Sequence, residues 1–164
     1  MYSSPFAHKG LWTYFCPKLQ QMETGFLHLH RTIAYIALLL LFISSLKSLH
    51  AFLNRRSYEK IDKTMALAAL IAVHTQLILG FALYFIRPWA GMWGSMGEVM
   101  QDSTNRMWVI EHPFVMLVAA VLITIGYSRA KKMTNSTSKH RTQGFLYLLG
   151  FALVLSRVPW DRLF

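Results

Sequence analysis

Four long apolar blocks constrain this chain more than any other feature. They occupy residues 26–46, 65–86, 107–127 and 143–159, and between them hold most of the hydrophobic residues that make up 54% of the sequence. A helix crossing a bilayer needs about 20 apolar residues at about 1.5 Å of rise each. The first three blocks meet that length. The fourth is shorter and reaches it by recruiting Gln143 and Trp160 at its ends or by local thinning of the bilayer. None of the blocks carries the polar stripe that a soluble bundle would keep toward water. The expected fold is therefore an all-α membrane protein, a four-transmembrane-helix bundle running up-down-up-down over residues 26–160.

A net charge of +10 in a soluble chain would suggest nucleic acid, but the position of the charges gives another reading. Lys47, Arg55, Arg56, Lys60 and Lys63 lie between the first two blocks, and Arg129, Lys131, Lys132, Lys139 and Arg141 between the last two. The middle connection has Arg87 and Arg106, offset by Glu98 and Asp102. The positive-inside rule puts the two basic loops in the cytoplasm and both termini outside it. Membrane lipid is then the expected partner of the basic loops, and no nucleic-acid role is implied.

Residues 1–25 read as a non-cytoplasmic N-terminal extension without the apolar stretch of a signal peptide, and Met22 could serve as the translation start. Cys16 is the only cysteine, which excludes an intrachain disulfide, and neither it nor His8 is given a role. In the outer loop Met92, Met96 and Met100 recur every four residues. On a helix they form a thioether stripe suited to Cu(I), or a plain apolar surface beside Trp93. Pro113 implies a helix that starts near Ser103 or Thr104 and kinks at the proline, since a start at 113 leaves too little length to span.

Ionisable groups inside a membrane are costly and mark candidate sites. Here they are His28, His30 and Arg31 in the first block, His74 in the second, Glu111 and His112 in the third, and Arg157 at the end of the fourth. His50 and His140 lie in basic loops and read as solvated. Two neutral imidazoles from facing helices of a four-helix bundle can hold a b-type haem from opposite sides, provided that they lie at equal depth. Counting rise per residue from the outer ends places His30 and His112 each about 9 Å deep, but His74 about 20 Å deep. His28 points away from the face shared by His30, Ala34 and Ala37. Arg31 could pair with haem propionates and Trp108 could pack at the cofactor edge. The competing reading makes these histidines interhelical hydrogen-bonders. For His74 a second cofactor site or a proton relay stands beside that reading.

His30-Arg31 early in the first block, Gln76-Leu-Ile-Leu-Gly80 in the second and a histidine early in the third resemble one four-helix half of the haem A synthase family, and more loosely small bacterial b-type cytochromes. The resemblance implies haem b held by His30 and His112 in a bacterial inner-membrane protein, with a quinone or another redox partner. It departs from that family in having Leu27 where a glutamate is expected and one four-helix unit instead of two. An electron carrier is thus implied before a stand-alone enzyme, with homo-oligomer or larger membrane complex as possible assemblies. The alternative class is a cofactor-free scaffold or accessory subunit.

Overall fold

The computed structural model describes residues 17–160 of the chain, and Cys16 and His8 lie outside them. It is helical, with no strand among the described residues. The long elements are α1 (Pro17–Leu53), α2 (Lys60–Ile86), α5 (His112–Lys132) and α6 (Ser136–Ser156). Two short helices, α3 (Met96–Gln101) and α4 (Ser103–Arg106), lie between α2 and α5. Among the described residues three segments are apolar and long enough to cross a membrane: Gln21–Leu53, Lys60–Ile86 and Ser103–Lys132. α1 begins well before residue 26, so Met22 and the last part of the expected extension are helical.

Local chemistry sets the ends. α1 closes with Arg55 in the left-handed region (φ 50°), while the Arg56 N–H reaches back to the Ala51 carbonyl at 2.9 Å. That six-to-one bond is the usual way to satisfy terminal carbonyls, here without the glycine normally found at the left-handed position. α2 is entered at Glu59, whose N–H donates to Asp62 Oδ2 at 2.9 Å. α6 is capped by Asn135, which accepts from the Ser138 N–H at 3.0 Å.

The α4 entry is capped by Asp102, one residue before the expected Ser103, through a 2.7 Å bond from the Asn105 N–H. From there the helix runs on through a wide π turn at Met107–Glu111 into α5. Pro113 explains the turn. Its ring would collide with the carbonyl four residues earlier, at Val109, and it has no N–H to give that carbonyl. Tyr84 Oη supplies the missing donor to Val109 at 3.1 Å and itself accepts from Trp93 Nε1 at 2.7 Å. One hydroxyl thus ties α2, the connection that follows it and the start of α5 together.

α1 packs on α2 and α6, and α5 packs on α2 and α6. Neighbours run in opposite directions, as the pairs Lys47 with Asp62 and Gln76 with His30 show for α1 and α2. The apolar centre holds Leu41, Val73, Ile123 and Tyr147. α6 closes on its neighbours at glycines. A Cβ on Gly150 would lie 2.8 Å from Ile123 Cγ1, and one on Gly144 would lie 3.1 Å from the Leu49 backbone N. Small residues at the contact let backbones approach and raise dispersion contact between helices. The outer faces expose large apolar residues such as Ile78, Phe85 and Phe114, as lipid-facing surfaces do.

At the end bearing the basic loops, polar groups join three helices. Lys47 Nζ lies 2.8 Å from Asp62 Oδ1, and His140 Nε2 lies 4.0 Å from Asp62 Oδ2. Gln143 donates to Ser48 Oγ at 2.7 Å and accepts from Tyr58 Oη at 2.7 Å. Burial pushes the Tyr58 phenol up to about 12, with Asp62 and Tyr127 adding to the shift, so it stays an O–H donor at neutral pH. His140 is fully buried, contrary to the solvated residue expected of a basic loop. The reason is that α6 starts at Ser136 and carries position 140 inward on its second turn.

The methionine stripe does not form. Met92 belongs to a 3-10 segment (Ala90–Ser95), and the helix carrying Met96 and Met100 starts only after it, so the four-residue spacing does not map onto one helix face.

Candidate functional site

A cavity of about 300 Å³ lies between α1, α2 and α5 near the ends opposite the basic loops. α1 contributes His30, Arg31, Ala34 and Ala37; α2 contributes Gln76 and Gly80. His112 and Met116 close it from α5, and Trp89 and Trp108 from the connection above. Small alanines on α1 leave this space where larger residues would have filled it. A second recess, bounded by Thr104 and Trp160, adjoins it through Trp108, Val158 and Pro159.

His30 and His112 face each other here, with ring centroids 6.5 Å apart and planes at 68°. His112 Nδ1 lies 2.8 Å from the carbonyl oxygen of Arg157. A carbonyl only accepts, so Nδ1 carries the proton and the neutral ring keeps its lone pair on Nε2. That is the tautomer of a metal-ligating histidine, whose other nitrogen is held by a backbone carbonyl. His30 Nδ1 is buried without a hydrogen-bond partner. Its ring lies against Gly80, where a Cβ would sit 3.3 Å from His30 Cε1, so the glycine makes room for the imidazole between α1 and α2.

The indoles of Trp89 and Trp108 stack at 5.4 Å with planes 2° apart, and Trp108 lies 6.0 Å from the His112 ring. Arg87 sits 4.9 Å over Trp89 and pairs with Glu23 at 2.9 Å. Glu111, next to His112, turns away to Arg106 at 2.9 Å and Arg157 at 3.3 Å. It serves as an ionic clasp between α5 and the end of α6.

The other candidate histidines, His28 and His74, lie elsewhere. His28 is exposed on the far side of α1. His74 bonds the Leu70 carbonyl through Nδ1 at 2.9 Å and stands 3.4 Å from Thr124 Oγ1, tying α2 to α5 below the cavity. Sequence reasoning missed Trp89 and Gly80 as site residues. Gly80 stood in the sequence only as the last residue of the Gln76-Leu-Ile-Leu-Gly80 stretch.

Among the described residues no three histidine, cysteine, aspartate or glutamate side chains converge as a metal cluster. The pair of imidazoles suits a cofactor that brings its own equatorial ligands. Comparison of the chain with protein-family models, with curated proteins and with solved structures gave no match.

Proposed function

We propose that this chain is a four-span bacterial inner-membrane protein, up-down-up-down with both termini outside the cytoplasm, that holds haem b between His30 and His112 and carries electrons. The observation that supports this most is the imidazole pair across an apolar cavity. Two rings each bonded to one metal through a nitrogen at about 2 Å have centroids roughly 6 Å apart, close to the 6.5 Å between His30 and His112.

The residues divide the work. His112 presents Nε2 because Arg157 holds Nδ1, and His30 presents a nitrogen from the opposite wall. Arg31, on the cavity wall, suits a carboxylate group at its mouth. Ala34, Ala37 and Gly80 keep the walls low, while Trp89 and Trp108 cover the outer edge and limit water. When bound, haem would supply a one-electron couple whose potential the two imidazoles and the apolar surroundings would tune. A quinone or a periplasmic redox protein is the partner that such a couple near the outer leaflet serves.

An optical spectrum of the protein purified from haem-replete cells tests the reading. The expected result is a reduced-minus-oxidised b-type spectrum that His30→Ala and His112→Ala each abolish. A haem-free preparation overturns the proposal and leaves the accessory-subunit reading. The topology has its own test in a Cys16→Ser background. A cysteine placed at Ser138 should react with an impermeant maleimide only from the cytoplasmic side, and one at Ser103 only from outside.

A further inference from the structure

Gln76 holds two clues that the haem reading does not use. Its Nε2 donates to the backbone carbonyl of His30 at 2.8 Å, which settles the orientation of the amide and leaves Oε1 as the free end. That Oε1 is buried and has no hydrogen-bond partner, and His30 Nδ1 is likewise buried without one. Two buried polar atoms, one on α1 and one on α2, are costly if left without partners.

Proton counting says how they belong together. A neutral imidazole has one N–H. If His30 offers Nε2 to a metal, Nδ1 must carry the proton and requires an acceptor. Gly80, one helical turn above Gln76, lets the ring rest against α2 with Cε1 and Nδ1 toward that helix. Gln76 Oε1, four residues before Gly80 on that helix, is an acceptor without a partner.

We infer that Gln76 is a positioning residue for His30, whose Nδ1–H donates to Gln76 Oε1 once the site is filled, as His112 Nδ1–H already donates to Arg157. This inference rests on the haem reading. In the structure the two atoms are not bonded to each other, and rotation of the His30 ring within the room left by Gly80 closes the contact. The two ligands would then be matched, each held by a carbonyl-type oxygen through Nδ1, one from a side chain and one from the backbone.

The experiment uses the full chain carrying Gln76→Leu or Gln76→Glu. A hydrogen bond from Nδ1–H makes a ligating imidazole more basic and so favours the oxidised metal. Gln76→Leu should raise the haem midpoint potential and weaken haem retention about 10- to 100-fold. Gln76→Glu, a stronger acceptor, should move the potential below that of the parent. Opposite shifts support the inference, whereas shifts of one sign, or none, overturn it, because a merely structural role does not order Leu and Glu on either side of Gln. A second readout is the His30 ring itself. In ¹⁵N spectra of the reduced, haem-loaded protein, the parent should show a hydrogen-bonded His30 Nδ1–H that Gln76→Leu weakens, and an unchanged signal counts against the assignment. Absence of haem from the parent protein would instead overturn the proposed function.

Discussion

His112 and Arg157 are joined by a 2.8 Å bond from an imidazole Nδ1 on α5 to a backbone carbonyl at the point where α6 ends. The bond satisfies a carbonyl that no longer has a helical donor, and it also selects the tautomer of a histidine facing the cavity. Helix termination and site chemistry are therefore one event. The same residue's guanidinium pairs with Glu111, so α6 is pinned to α5 by backbone and side chain together.

His74 is expected to be separable from the site. Its bonds run to Leu70 and Thr124, below the cavity. On the haem reading, His74→Ala should therefore keep the b-type spectrum while lowering resistance to denaturation by roughly 0.6 kcal/mol, the average for interhelical polar contacts in membranes. Loss of haem in His74→Ala alone would show that the wrong pair had been assigned.

Gly80→Val should act on the site directly. The added Cβ falls 3.3 Å from His30 Cε1, and the branched methyls press further onto the ring. The displacement is expected to cost about 1–3 kcal/mol and to remove haem binding while circular dichroism stays helical. Full haem occupancy in Gly80→Val would show that the ring does not need the space next to α2.

Much of this arrangement could be read from residues in order. The apolar blocks and the direction of each helix place His30 and His112 at one depth, and His74 two turns away, by rise per residue alone. The spacing of His28 and His30 likewise puts them on opposite faces. What could not be read depended on contacts between distant segments. His140 looked solvated because its neighbours are basic, and only the packing of both α6 and α2 on α1 brings it beside Asp62. Trp89 sits in a loop of irregular backbone, whose path over Trp108 no periodicity describes. The methionine repeat failed for the related reason that equal spacing means a stripe only if one helix carries it.

The Lys47 and Asp62 pair should behave as a buried ion pair with one edge in solvent. Asp62 is 2% exposed in its side chain and Lys47 26%. Lys47→Met leaves the carboxylate without its nearest cation and should cost of order 3 kcal/mol, less than for a fully enclosed pair because water reaches the lysine. Adding Asp62→Asn removes the stranded charge and should recover part of that loss. Unfolding in a denaturant titration of the two single variants and the double variant measures the coupling. Simple additivity would mean that the pair contributes nothing.

Tyr84 offers the sharpest test of how Pro113 shapes the site. The Val109 carbonyl is denied its ordinary helical donor by the proline and takes the Tyr84 hydroxyl instead. Tyr84→Phe leaves that carbonyl unsatisfied and also frees Trp93 Nε1, for an expected loss of about 1–3 kcal/mol. Pro113→Ala restores an N–H four residues after Val109, which lets the π turn close into ordinary helix. In that background Tyr84→Phe should cost markedly less, because the carbonyl now has a backbone donor and only the Trp93 bond is lost. A double-mutant cycle in detergent, with stability read by helical signal, gives the coupling directly. Equal costs of Tyr84→Phe in both backgrounds would show that the hydroxyl does not substitute for the N–H that proline lacks.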